Sequence, residues 1–143
     1  MEIVLKNTKP DGGSYMEQNE ERSTHVVYEK DGNGQVIIAD EVVAIISGIA
    51  ATEVEGVDSM DGGWSGAIIA RMGIRDLSRG VKIAIEDGNV TVDLTLNVKY
   101  GYSIPEVSKE VQNKVSQAIE SMTGLHVQDV NIKIAGVVTN ENE

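Results

Sequence analysis

The chain has 143 residues, enough for one hydrophobic core of ordinary size and too few for two. Its formal net charge of −11, from 12 basic against 23 acidic residues, repels phosphate backbones and argues against nucleic-acid binding. Cysteine is absent, which excludes disulfides and thiolate chemistry, and with no Phe and one Trp the aliphatic side chains must supply nearly all the buried area.

The first residues, Met1 to Pro10, lack the basic start and long apolar run of a signal peptide. From Pro10 to Arg22 the chain is polar and turn-rich, so residues 1–24 are expected to form a flexible acidic arm. His25 to Tyr28 and Gln35 to Ile38 read as short strands around the turn Asp31-Gly32-Asn33-Gly34. Asp40 is placed to cap a helix whose apolar stripe runs through Val42, Ile45, Ile46, Ile49 and Ala50, with Val43 and Val54 widening it, and which ends near Gly56. That run, Val42 to Ala51, is the most apolar of the chain. It is broken by Ser47 and Gly48 and falls well short of the roughly 20 residues that a membrane-spanning helix needs.

Val57 to Met60 reads as a further strand, and the segment Asp61 to Gly66 is too rich in glycine for a regular element. Ala67 to Ser78 has the pattern of a short helix weakened by Gly73. The clearest signal comes next. Val81, Ile83 and Ile85, then Val90, Val92, Leu94, Leu96, Val98 and Tyr100, alternate with polar residues on either side of Asp87-Gly88-Asn89, which predicts a β-hairpin with one buried face. Ser103 and Glu106 have capping-box spacing, Pro105 suits a first turn, and Val107, Val111, Val115, Ala118, Ile119 and Met122 mark one face of a second helix that stops at Gly124. A last strand, Val127 to Val137, carries Val130, Ile132 and Ile134 on one side, and residues 139–143 form a second flexible end. The expected fold is α+β: a mostly antiparallel sheet with two main helices on one face, in the order strand, helix, strand, hairpin, helix, strand, as one domain over residues 25–138.

Several of these segments together resemble a known family. Gly34-Gln35-Val36-Ile37-Ile38, the Ala/Ile-rich helix and Val54-Glu55-Gly56-Val57 look like the start of the bacterial alkaline-shock, or envelope-stress-response, domain. The likeness continues through Arg79-Gly80-Val81-Lys82-Ile83, Val98-Lys99-Tyr100-Gly101-Tyr102-Ser103-Ile104 and Met122-Thr123-Gly124-Leu125, and closes with Val130 to Val137. It covers roughly residues 34–138, and its specificity lies in the order and spacing of the segments. The resemblance implies a cytoplasmic Gram-positive protein without enzymatic activity, associated with cell-envelope homeostasis. It also implies protein partners of two kinds. One is a small integral-membrane protein that holds the chain at the membrane; the other is acetyl-CoA carboxylase, whose control would link the chain to fatty-acid synthesis. It brings no catalytic residue, cofactor or metal.

The residues themselves point the same way. Nucleophilic catalysis needs a base, and the only histidines, His25 and His126, sit at expected strand starts. No His/carboxylate spacing matches a zinc or calcium site. The glycines around Trp64 lack the following Gly-Lys-Ser/Thr of a phosphate loop, since Ala67-Ile68-Ile69 comes next. An RNA-binding module is the remaining class, and the acidic charge opposes it. Candidate partner-binding features are therefore three. Trp64 is either a core plug or an exposed anchor. Arg71, Arg75 and Arg79, every fourth residue, form a basic stripe if their segment is helical, set against the plainer reading of a solvated face. The open sheet edge suits self-association into a homo-oligomer.

Overall fold

The computed structural model describes residues 24–30, by their backbone, together with residues 34–66 and 77–139. Strands β1 (Thr24–Lys30) and β2 (Gly34–Ala39) lead into helix α1 (Asp40–Thr52) and strand β3 (Val57–Met60). Strands β4 (Val81–Glu86) and β5 (Asn89–Lys99), helix α2 (Ile104–Thr123) and strand β6 (His126–Val138) complete the order. The fold is α+β, with two helices among the described residues, in keeping with the alternation of periods two and 3.6 along the sequence. The expected arm, the turn around Asp31 to Asn33, most of the expected helix from Ala67 and the final residues lie outside the described residues. Thr24, assigned to the arm, belongs to β1.

β5 organises the main sheet because it is the strand buried most completely on one face. Val90, Val92, Leu94, Leu96 and Val98 are all buried, while Thr91, Asp93, Thr95, Asn97 and Lys99 lie on the opposite face. β6 runs parallel to it from Asn89↔His126 to Lys99↔Val138 and so takes the whole of one edge. The other edge is shared. β4 pairs antiparallel with Asn89 to Leu94, and β3 pairs antiparallel with Leu96 to Val98. Between them Thr95 accepts from the Asp61 amide at 2.9 Å and donates to the Gly80 carbonyl at 2.9 Å. β3 and β4 thus lie end to end along one edge of β5. β1 and β2 pair with each other in a separate two-stranded ribbon.

The hairpin between β4 and β5 turns on Asp87 and Gly88, both with positive φ (51° and 85°), the combination that matches the twist of the flanking strands. β6 departs from strict alternation at two places. Its pairing with β5 skips one residue after Val127 and another after Ile134, so that Val127 and Val130 both face the core with Ile132 and Ile134 packed at its margin.

α2 follows the expected pattern closely. The Ser103 hydroxyl accepts from the Glu106 amide at 3.4 Å, and Gly124 ends the helix at φ 79°. Val107, Val111, Val115 and Ile119 are buried at four-residue spacing. Met122 is not on that face: it is 67% exposed, because the stripe has ended a turn earlier and the chain is already turning at Gly124. Tyr100 likewise leaves the buried row of β5, since the strand ends at Lys99 and the chain turns away. Asp40 is the first residue of α1 and not its cap. Ala39 occupies the extended cap position without a side-chain bond, and Asp40 and Glu41 instead place negative charge in the first turn, where the helix dipole favours it. α1 stops at Thr52, earlier than its stripe suggests, and Val54 is buried in the turn that follows.

Candidate binding surfaces

Trp64 is fully buried, with its indole nitrogen donating to the Arg79 carbonyl at 3.2 Å. Its ring lies in a notch that Gly48 leaves in α1. A Cβ at Gly48 would stand 2.8 Å from the Trp64 Cζ2 atom. Of its two expected roles the side chain is thus the core plug and offers no area to a partner, which corrects its candidacy as an exposed anchor: the notch in α1 is deep enough to take the ring, and the Arg79 carbonyl meets its polar end. Ser47, buried beside the notch, donates to the Val43 carbonyl at 2.8 Å and so costs the core no unpaired hydroxyl.

Of the expected basic stripe, Arg71 and Arg75 lie outside the described residues. Arg79 is exposed and its aliphatic stem runs over Gly62, whose added Cβ would meet it at 3.2 Å. The histidines lie on separate elements, His25 in β1 and His126 at the start of β6. His126 Nδ1 is 3.5 Å from the Glu120 carboxylate, whose same oxygen accepts the Val127 amide at 2.9 Å. That arrangement ties the end of α2 to the start of β6. Among the described residues no group of three His, Asp or Glu side chains converges as a metal site would require. No helix among them is long and apolar enough to cross a membrane.

The exposed face of the sheet is polar and cross-linked. Asn131 donates to Asp93 at 2.9 Å, and Asn97 donates to Ser59 at 3.1 Å. Beside these pairs an open depression of about 600 Å³ is lined by Asp61, Lys82, Asp93, Thr95, Asn131 and Lys133. Its charges alternate in sign, so it selects no one class of ion. Along β6 the edge away from β5 has no strand partner among the described residues.

Sequence reasoning did not single out the corner where β5 passes into α2. Gly56, at φ 101°, brings the turn after α1 so close that an added Cβ would stand 2.7 Å from Val107 and 2.9 Å from Tyr102. The Tyr102 hydroxyl donates to the Glu55 carboxylate at 3.3 Å. That carboxylate, first by its charge and then with partial desolvation and the hydrogen bond, holds the Tyr102 hydroxyl above the usual phenol range. A depression of about 370 Å³ opens here between Glu55, Tyr102, Glu106, Lys109, Glu110 and Asn113. The signal in the sequence was Tyr100-Gly101-Tyr102-Ser103-Ile104, large side chains around a glycine at the end of the expected strand, whose alternation counts Tyr100 in the buried row.

Comparison with known proteins bears on this chain along most of its length. The profile of the alkaline shock protein family, described as having a cell envelope-related function, matches residues 28–139. The uncharacterized protein YqhY of Bacillus subtilis is 39% identical over 73% of this chain and 77% of its own length. The uncharacterized protein YloU of the same organism is 34% identical over 75% of this chain and 92% of its own. Proteins of Streptococcus pyogenes named as stress response regulator gls24 homologs are 28% identical over 76% of this chain and 61% of their own length. Among solved structures, a variant of the MamM CTD superposes at a TM-score of 0.42 with 13% identity, over 68% of this chain and 94% of that one.

Proposed function

The chain belongs to the alkaline shock protein family, whose function is related to the cell envelope, and on that premise we propose that it is a non-enzymatic binding and scaffold protein of cell-envelope stress homeostasis. The observation that carries this reading is the family match over residues 28–139, which takes in both helices and the whole main sheet. The streptococcal relatives named as stress response regulators support the stress aspect. The described surface supports the binding aspect. It exposes neighbouring large apolar or aromatic side chains at Val36 and Ile37 of β2 and at Tyr100, Tyr102 and Ile104 between β5 and α2. A small integral-membrane protein is the partner that would bring such a chain to the envelope, and the open edge of β6 suits pairing with a second copy.

The test is a strain lacking the chain, challenged with inhibitors of cell-wall synthesis, alongside fractionation of the native protein with membranes. Increased sensitivity and co-sedimentation with membranes are the expected results. Unchanged sensitivity with an altered malonyl-CoA pool would overturn the scaffold reading in favour of regulation of acetyl-CoA carboxylase.

A further inference from the structure

The β5–α2 corner has properties that the family reading leaves unused. Tyr100 is 73% exposed, and Tyr102 and Ile104 are each about 40% exposed, all within five consecutive residues. Val137 of β6, paired with Val98, brings a fourth exposed apolar side chain to the same end of the sheet. Water gains nothing from such a cluster, and exposed aromatic side chains of this kind are enriched where partners bind. The rim of the neighbouring depression carries the carboxylates of Glu55, Glu106 and Glu110 against the single ammonium of Lys109. Aromatic faces beside carboxylates form a surface complementary to guanidinium and ammonium groups, which gain from both the ring quadrupole and the charge.

We propose that this corner is a docking site for an arginine- or lysine-bearing apolar segment of a partner protein, with Tyr100, Tyr102 and Ile104 taking its apolar side chains and Glu55, Glu106 and Glu110 its cations. The charge complementarity fixes the class of occupant. An acidic segment would meet three carboxylates, and a purely apolar one would leave them desolvated without a partner. The positive end of the α2 dipole does not repel the cation, because Glu106 in the first turn offsets it and Ser103 occupies the Glu106 amide. The surface is also formed before any partner arrives. Gly56 locks the turn against Val107, and Glu55 holds the Tyr102 hydroxyl, so little conformational entropy is lost when the site fills.

The proposal rests on the binding reading above, but its test needs no cellular phenotype. The full chain, labelled with ¹⁵N, is titrated with a synthetic peptide of alternating Arg and Leu and with its counterpart carrying Glu in place of Arg. The expected result is chemical-shift change confined to residues 53–56, 99–113 and 136–138 with the Arg peptide alone. Affinity should fall at least about tenfold in Tyr100→Ser and in the double variant Glu106→Gln, Glu110→Gln, and stay unchanged in Glu86→Gln at the far hairpin. A chain of net charge −11 attracts cations everywhere, so shifts spread evenly over the acidic surface would overturn the proposal. Equal binding of the Glu peptide, no binding of either, or corner variants that bind like the parent would overturn it too. The substituted side chains are exposed, and the same spectra report whether each variant is folded.

Discussion

Trp64 and Gly48 act as one unit. The ring fills the space that a side chain on α1 would take, so Gly48→Ala trades a gain in helix propensity of about 1 kcal/mol for overpacking of about 1–3 kcal/mol against a buried ring. A net loss of about 1 kcal/mol is expected in urea denaturation, and a stabilised variant would contradict the notch. Trp64→Ala should cost about 3–5 kcal/mol by the same measurement, since the side chain has no exposed area to soften the loss. Their pairing was not legible. Gly48 reads as a weak point in a helix and Trp64 as either a core plug or an exposed anchor, and only a contact between segments distant in sequence joins them and selects the plug. Tyr102 gives a titration test. Its hydroxyl is held above the usual phenol range in the fold, so the neutral form is the one the native state favours. The resulting stability is present below the unfolded tyrosine value, near pH 10, and is lost as pH rises through the folded value. Absorbance titration should show one tyrosine ionising late, and Glu55→Gln should bring it back toward the others.

At the level of elements, α2 was readable almost to the residue because cap, apolar stripe and stop signal agree. β6 was readable as a strand but not in its register, since its two irregularities are set by pairing with β5 and leave no local mark. The junction of the two elements depends on Glu120, whose carboxylate accepts the Val127 amide and faces His126. Glu120→Ala should cost about 1 kcal/mol in thermal or chemical denaturation, and Glu120→Gln, which keeps an acceptor oxygen, should cost less. The β1–β2 ribbon stands apart from the main sheet, and a two-stranded ribbon is marginal by itself. Its amides should exchange with deuterium well before those of β5. Equal protection would mean that the ribbon is held by contacts beyond its own pairing.

For the whole molecule, the sequence was enough to place strands and helices in order, because the buried face of β5 and one face of each helix must meet, although α1 turns Val43, Ala44 and Ala51 inward and leaves Val42 of its expected stripe exposed. It did not reveal which edges the strands share. Nothing in Val57 to Met60 or Val81 to Glu86 says that they lie end to end along one partner, for that depends on Thr95 serving both sides of the break. Arg71 and Arg75 fall outside the described residues, and the corner at Tyr100 was hidden because the period of two carried Tyr100 into the buried row of the hairpin. The interruption at Thr95 has a consequence for how such a chain can change. Asp61 and Gly80 are pinned to the same residue, so the sheet is continuous across the gap. Each doubling of the chain length between them costs only about 0.6 kcal/mol of closure entropy. A tract of glycine and serine spliced in after Gly66, leaving Trp64 in place, should shift the unfolding midpoint only slightly. Such a position lets evolution, or an engineer, add sequence between two fixed points of an unaltered frame.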